Sequence, residues 1–126
     1  MKWAYVDSSL IIATLFQDGP ARSIKKLWLS ADRFVSSYLL EVEVLSAATR
    51  ERFALELVEP ELRKIGYVRT HSLATESKVI LGKGYLRGAD LYHVATALWI
   101  QNKHTGLKFL SLDEKQLVVA RKVGLS

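Results

Sequence analysis

The opening stretch Lys2-Trp3-Ala4-Tyr5-Val6-Asp7-Ser8-Ser9 constrains this chain more than any other. A short run dense in aromatic and β-branched residues that ends in an acid and two serines is the pattern of a buried strand emptying into a helix. Ser8 or Ser9 is placed to cap that helix, Leu10–Phe16. In open parallel α/β sheets, ligands and chemistry collect outside the carboxyl ends of the strands. Asp7 sits at such an end, so the question becomes which other groups arrive at the same edge.

The remaining punctuation repeats the strand-to-helix theme. Gln17-Asp18-Gly19-Pro20 reads as a turn, with Pro20 suited to open a helix over Ala21–Ala31 on which Ile24, Leu27 and Trp28 share a face. Arg33–Ser36 reads as a second strand, and Ser37 as the cap of a long helix running to about Phe53. Pro60 is expected to start a short helix through Ile65 that Gly66 stops. Tyr67–Thr70 then reads as a strand, Leu73–Leu81 as a helix, and Gly82–Gly88 as a loop. Ala89 to about Lys103 reads as a helix, Lys108–Ser111 as a strand, and Asp113 to Gly124 as a last helix. Short strands separated by helices point to an α/β fold with a parallel sheet covered on both faces. A chain of 126 residues has the length of one domain, residues 1–126, with a single core.

Composition excludes several classes of protein. The longest apolar runs, Leu10–Phe16 and Val94–Ile100, are seven residues each, far short of the ~20 that span a bilayer. No charged region followed by a long apolar core opens the chain, so no secretory signal and no membrane partner are expected, and the expected location is the cytoplasm. The absence of cysteine removes disulfides, thiolate nucleophiles and Cys-ligated zinc together. A net charge of +5 favours a polyanionic partner such as nucleic acid.

Three acids besides Asp7 stand at comparable places. Glu43 interrupts an apolar stripe of the helix after Ser37, between Leu39 and Leu40 on one side and Ser46 and Ala47 on the other. Glu41 competes with it, because that helix is apolar on much of its circumference. Asp90 opens the helix after the glycine loop, and Asp113 follows the strand Lys108–Ser111. Capping or the helix dipole accounts for Asp7, Asp90 and Asp113 singly. Together, however, carboxylates gathered at one edge repel one another and resist full ionisation. A divalent cation removes that conflict, Mg²⁺ or Mn²⁺ suits an all-oxygen set, and such a centre can hydrolyse a phosphodiester.

This pattern resembles the PIN-domain ribonucleases, and among them the small VapC-type toxins of toxin–antitoxin pairs. The resemblance runs the whole length. It rests on Tyr5-Val6-Asp7-Ser8-Ser9, on Val35-Ser36-Ser37 with Glu43 six residues after Ser37, on Leu86-Arg87-Gly88-Ala89-Asp90-Leu91-Tyr92-His93-Val94-Ala95-Thr96-Ala97, and on Phe109-Leu110-Ser111-Leu112-Asp113 before a helix ending in Val123-Gly124-Leu125. It implies a three-layer α/β/α sandwich around a parallel sheet. It further implies that Asp7, Glu43, Asp90 and Asp113 are the catalytic, metal-binding acids of an Mg²⁺- or Mn²⁺-dependent endoribonuclease, with Ser9 and Ser111 supporting the site. Glu43 over Glu41 rests mainly on the family spacing, and Leu112 departs from the small residue expected after Ser111. By the same resemblance the chain forms a homodimer and is silenced by a cognate antitoxin that threads a basic side chain into the acidic pocket.

Arg50, Lys83 and Arg87 lie near Glu43 and Asp90 in sequence and are the basic groups expected to draw RNA phosphates in. Apolar residues beyond one stripe, at Trp28, Leu29, Leu39 and Leu40, are the expected interface. His93, in an apolar helix, reads as a packed, hydrogen-bonded histidine rather than a metal ligand. Gly82-Lys83-Gly84 lacks the spacing of a phosphate-binding loop. Two readings stand beside the toxin: an RNA-processing nuclease without an antitoxin, and a PIN-like binding module without turnover.

Overall fold

Alternation along the strands sorts the chain into layers. In β1 (Trp3–Val6), Ala4 and Val6 join one core cluster and Tyr5 the other. In β4 (Lys108–Leu110), Leu110 and Phe109 divide in the same way, as do Phe34 and Val35 of β2 (Arg33–Ser37). A period of two with apolar side chains on both faces requires helices on both sides of the sheet. The computed structural model, which describes residues 1–126, joins these strands and β3 (Gly66–Val68) into a wholly parallel sheet of order β3-β2-β1-β4.

Helices α1 (Ser8–Phe16), α2 (Ala21–Trp28), α3 (Tyr38–Arg50) and α4 (Leu55–Leu62) cover the face of Ala4, Val6 and Leu110. Helices α5 (Ala74–Leu81), α6 (Gly88–Gln101) and α7 (Glu114–Lys122) cover the face of Tyr5, Val35 and Phe109. The result is the three-layer α/β/α sandwich. Val94, Ala95 and Ala97 of α6 are fully buried, and their modest size lets this helix lie close against the sheet. Burial of side chains such as Leu10, Ile11, Leu40 and Val44 stabilises the other layer by about 1.5–3 kcal/mol apiece.

Strand order fixes where a site belongs. The chain steps outward from β1 to β2 to β3, then returns across the sheet to place β4 on the other side of β1. The crevice between β1 and β4 is therefore the topological switch point, where α/β sheets bind their ligands. The two strand ends are in register there, with the Asp7 amide donating to the Leu110 carbonyl at 3.2 Å. On the other side of β1, the Ser36 hydroxyl donates to the Val6 carbonyl at 2.7 Å and pins the end of β2 to the residue before Asp7.

Several local expectations change. Pro60 lies inside α4 instead of opening it, because Val58 and Leu62, four residues apart and both buried, extend the helix ahead of the proline. Gly66 begins β3, pairing with Val35, and stops no helix. Ser37 occupies the N-cap position of α3, but its hydroxyl makes no capping bond and is buried without a partner. Leu40 belongs to the core and Trp28 donates its indole N–H to Thr14 at 2.9 Å, so of the apolar surplus at residues 28, 29, 39 and 40 only Leu29 is largely exposed. No helix is long and apolar enough to cross a membrane.

Candidate active site

Asp7 stands at the N-cap position of α1, yet its carboxylate takes no capping bond from the helix backbone. It is 4% exposed and receives two hydroxyls instead. Ser9, the second residue of α1, donates to Oδ1 at 2.6 Å, and Ser111, just beyond β4, reaches Oδ2 at 3.0 Å. The two serine oxygens are 3.3 Å apart, so β1 and β4 meet through a hydroxyl–carboxylate cluster. The Leu112 amide donates to the Ser9 hydroxyl at 2.9 Å while its side chain is exposed, so this position serves the site through its backbone. Burial pushes the Asp7 carboxyl up from the ordinary 3.8 to about 6, and the nearby Glu43 charge adds to the rise. The hydroxyls of Ser9 and Ser111 and the neighbouring His93 pull the other way.

Asp113 does cap its helix: it accepts from the Gln116 amide at 3.2 Å at the start of α7. Gln116 itself is fully buried, and its side chain turns away from the cap. Its Oε1 lies 2.9 Å from the Ser111 hydroxyl, and its Nε2 donates to the Asp90 carbonyl at 3.2 Å. One amide thus ties α7 to α6 and to the residue that holds Asp7. Asp90, in the first turn of α6, has its carboxyl pushed up by partial burial and then by the charges of Asp113 and Glu43, against His93 and Arg87.

Glu43 reaches the same region from α3. Its Oε1 meets His93 Nε2 at 2.5 Å, and His93 Nδ1 lies 2.7 Å from the Tyr5 hydroxyl. His93 is 1% exposed, a packed and hydrogen-bonded histidine as its helix implies. Glu41 is set elsewhere, on the side of Tyr67, whose phenol is pushed up to about 12 by burial and then by that charge.

Electrostatic coupling thus runs along a chain of acids, Asp7 with Glu43, Glu43 with Asp90, and Asp90 with Asp113. As they stand, no three His, Asp or Glu side chains converge closely enough to hold one ion directly. The oxygen donors nevertheless fit Mg²⁺ in chemistry, because that ion keeps several waters and usually takes only one or two carboxylates alongside a substrate phosphate.

The basic groups divide. Arg87 is exposed at the N-cap of α6 and acts on Asp90. Lys83 is exposed in the loop before it, which packs so closely on α7 that a Cβ at Gly84 would stand 2.9 Å from Val119 Cγ2. Arg50 leaves the site. It closes α3 roughly 10 Å along the axis from Glu43, pairs with Glu51 at 3.2 Å and borders a surface depression with Asp18 and Phe53. Nearness in sequence to Glu43 took no account of the rise along the helix.

Sequence reasoning missed Gln116 and Tyr5. Asp113 and Gln116 have the spacing of a capping box, which signals a helix start but says nothing of a side chain turned toward Ser111 and Asp90. Tyr5 read only as a strand aromatic, and nothing in its neighbourhood announces a hydroxyl bonded to a residue 88 positions later.

No curated protein matches the chain. A family model described as the PIN domain matches residues 4–122, a span holding all four acids and both serines, and the chain belongs to the PIN-domain family.

Proposed function

We propose that this protein is a metal-dependent endoribonuclease, acting through Asp7, Glu43, Asp90 and Asp113 on RNA, and that it is the toxin of a toxin–antitoxin pair. PIN domains are typically nucleases that use divalent metal ions. The observation that carries the reading is Asp7: a buried carboxylate with hydroxyl partners but no cation, placed at the switch point and feeling the charge of Glu43, which in turn acts on Asp90. A carboxylate in that setting is costly unless a cation joins it.

In this reading Asp7 and Asp90 would hold Mg²⁺ or Mn²⁺, with Glu43 and Asp113 as further carboxylates of the centre. The ion, when bound, offsets charge on the scissile phosphate and activates a water. Ser9 and Ser111 fix the rotamer of Asp7 from two different elements, so its oxygens are aimed before metal or RNA arrives. Arg87 and Lys83 stand on the approach and draw phosphates toward a centre whose own charge repels them.

Purified protein incubated with structured and unstructured RNAs is expected to cut them with Mg²⁺ or Mn²⁺ and to stop in excess EDTA. Retained RNA binding with no cleavage under any metal would leave only a binding module. Binding is also expected to weaken with salt, and Arg87→Ala with Lys83→Ala to flatten the logarithmic salt slope by about two phosphate contacts. Fluorescence anisotropy at several ionic strengths reads this, and an unchanged slope would remove those residues from the interface.

The toxin assignment has its own tests. Sedimentation equilibrium at tens of micromolar is expected to give a homodimer, and a short neighbouring reading frame for a DNA-binding protein is expected to encode the antitoxin. That partner's basic side chain is expected to compete with Mn²⁺ for the acids, since a guanidinium pairs bidentately with carboxylates. Inhibition indifferent to Mn²⁺ concentration would place the antitoxin elsewhere.

A further inference from the structure

The Tyr5–His93–Glu43 chain links three elements, β1, α6 and α3, and its middle member is sealed from solvent. The Tyr5 ring has no freedom to wander: it stacks on Phe109 with centroids 5.6 Å apart and planes 4° from parallel, and meets the His93 ring edge-on at 5.7 Å. Tyr5 itself is fully buried. A carboxylate can only accept, so His93 donates its Nε2–H to Glu43, while Nδ1 and the Tyr5 hydroxyl share the second hydrogen bond.

Glu43 gives one oxygen, Oε1, to this bond and keeps Oε2 free of any hydrogen bond within the chain. We propose that His93 is a positioning residue: anchored by Tyr5, it locks the Glu43 side chain so that the free oxygen serves the centre shared with Asp7 and Asp90. This rests on the nuclease reading and goes beyond it, because it assigns a task to two residues outside the acidic quartet. A glutamate side chain left loose has three rotatable bonds to order at the moment of metal binding. The imidazole removes that demand in advance, as outer partners of metal ligands commonly do.

The test needs metal binding as well as cleavage. In the full-length protein, His93→Leu keeps the volume and loses the donor, His93→Gln restores an N–H donor at similar reach, and Tyr5→Phe removes only the anchor. Mn²⁺ affinity is measured without RNA, by the loss of free-ion signal in electron paramagnetic resonance, and kcat and KM are measured separately on RNA. His93→Leu is expected to weaken Mn²⁺ ten- to hundredfold and lower kcat in step with KM unchanged. His93→Gln should recover most of both, and Tyr5→Phe should fall between. The ¹⁵N shifts of the imidazole should report a protonated, hydrogen-bonded Nε2 in the parent.

If His93→Leu proves unfolded, the other two variants decide the matter alone. A parent that binds Mn²⁺ and cuts RNA, with all folded variants matching it, overturns the positioning role and leaves the nuclease reading standing. Equal losses in His93→Leu and His93→Gln would also overturn it, since packing rather than the donor would then matter. A parent that neither binds Mn²⁺ nor cuts RNA overturns both together.

Discussion

Asp7→Asn is expected to abolish RNA cleavage while making the metal-free protein more stable at neutral pH. The two effects have one cause. In the folded chain burial lifts the Asp7 carboxyl from 3.8 to about 6, so its ionised form costs about 3 kcal/mol at roughly 1.4 kcal/mol per pKa unit. The folded state binds more protons than the unfolded one between those two values. Stability therefore falls as pH rises through that window and stays reduced above it. An amide in place of the carboxyl is neutral throughout, so the variant should gain over the parent at pH 7.5, and the gain should shrink to nothing near pH 4. Its Oδ1 can still accept from Ser9, and the Ser111 hydroxyl can turn to Gln116 at 2.9 Å, so the cluster need not come apart.

Metal reverses the ranking. Saturating Mn²⁺ should stabilise the parent by about 2.7 kcal/mol at a hundredfold excess over Kd and leave Asp7→Asn nearly unmoved. Cleavage should drop by about 10³-fold or more, equivalent to roughly 4 kcal/mol of lost charge stabilisation. Melting curves at pH 4, 6 and 7.5, with EDTA and with Mn²⁺, read all of this. A sharp fall in metal-free stability with cleavage intact would make Asp7 a structural residue and remove it from the chemistry.

The layers of the fold were legible because they depend on local patterns. Ala4, Tyr5 and Val6 alternate between faces as strand geometry requires, and the acid-serine break after Val6 marks the strand end to the residue. Helix boundaries were less legible where burial overrode a local signal, as at Pro60, which the Val58–Leu62 face carries inside α4. The neighbours of the acids divide in the same way. Ser9 and Ser111 were both named through the family resemblance, but the bond from Ser111 to Asp7 has its physical reason in the switch-point topology that sets β4 beside β1. Arg50 shows the opposite failure, since residues near in sequence on one helix can still be separated along its axis. Tyr5, His93 and Glu43 come from three elements on two faces of the sheet, and no periodicity within one segment encodes such a contact.

Gln116 gives the second large effect, because its fully buried amide does two jobs at once. Its oxygen lies 2.9 Å from the Ser111 hydroxyl and its nitrogen donates to the Asp90 carbonyl. Gln116→Leu removes both ends, and the cost should be about 1–3 kcal/mol, since the Asp90 carbonyl and the Ser111 hydroxyl each lose one partner of several. Gln116→Glu should be worse at pH 8, by about 3–5 kcal/mol, because it buries an uncompensated charge beside Asp90 and Asp113 and faces a carboxylate oxygen toward the Asp90 carbonyl. Its pH dependence should separate the two substitutions. Burial and the neighbouring acids raise the folded-state pKa of the introduced carboxyl above its unfolded value, so its penalty is present at high pH and is lost as pH falls through that raised value. Once protonated it can donate to the Asp90 carbonyl as the amide does, and below about pH 5 Gln116→Glu should overtake Gln116→Leu. Urea denaturation in EDTA at pH 5 and pH 8 measures the crossing. Parallel losses at both pH values would mean that Gln116 matters only for its volume, and that the tie between α6 and α7 is made by packing alone.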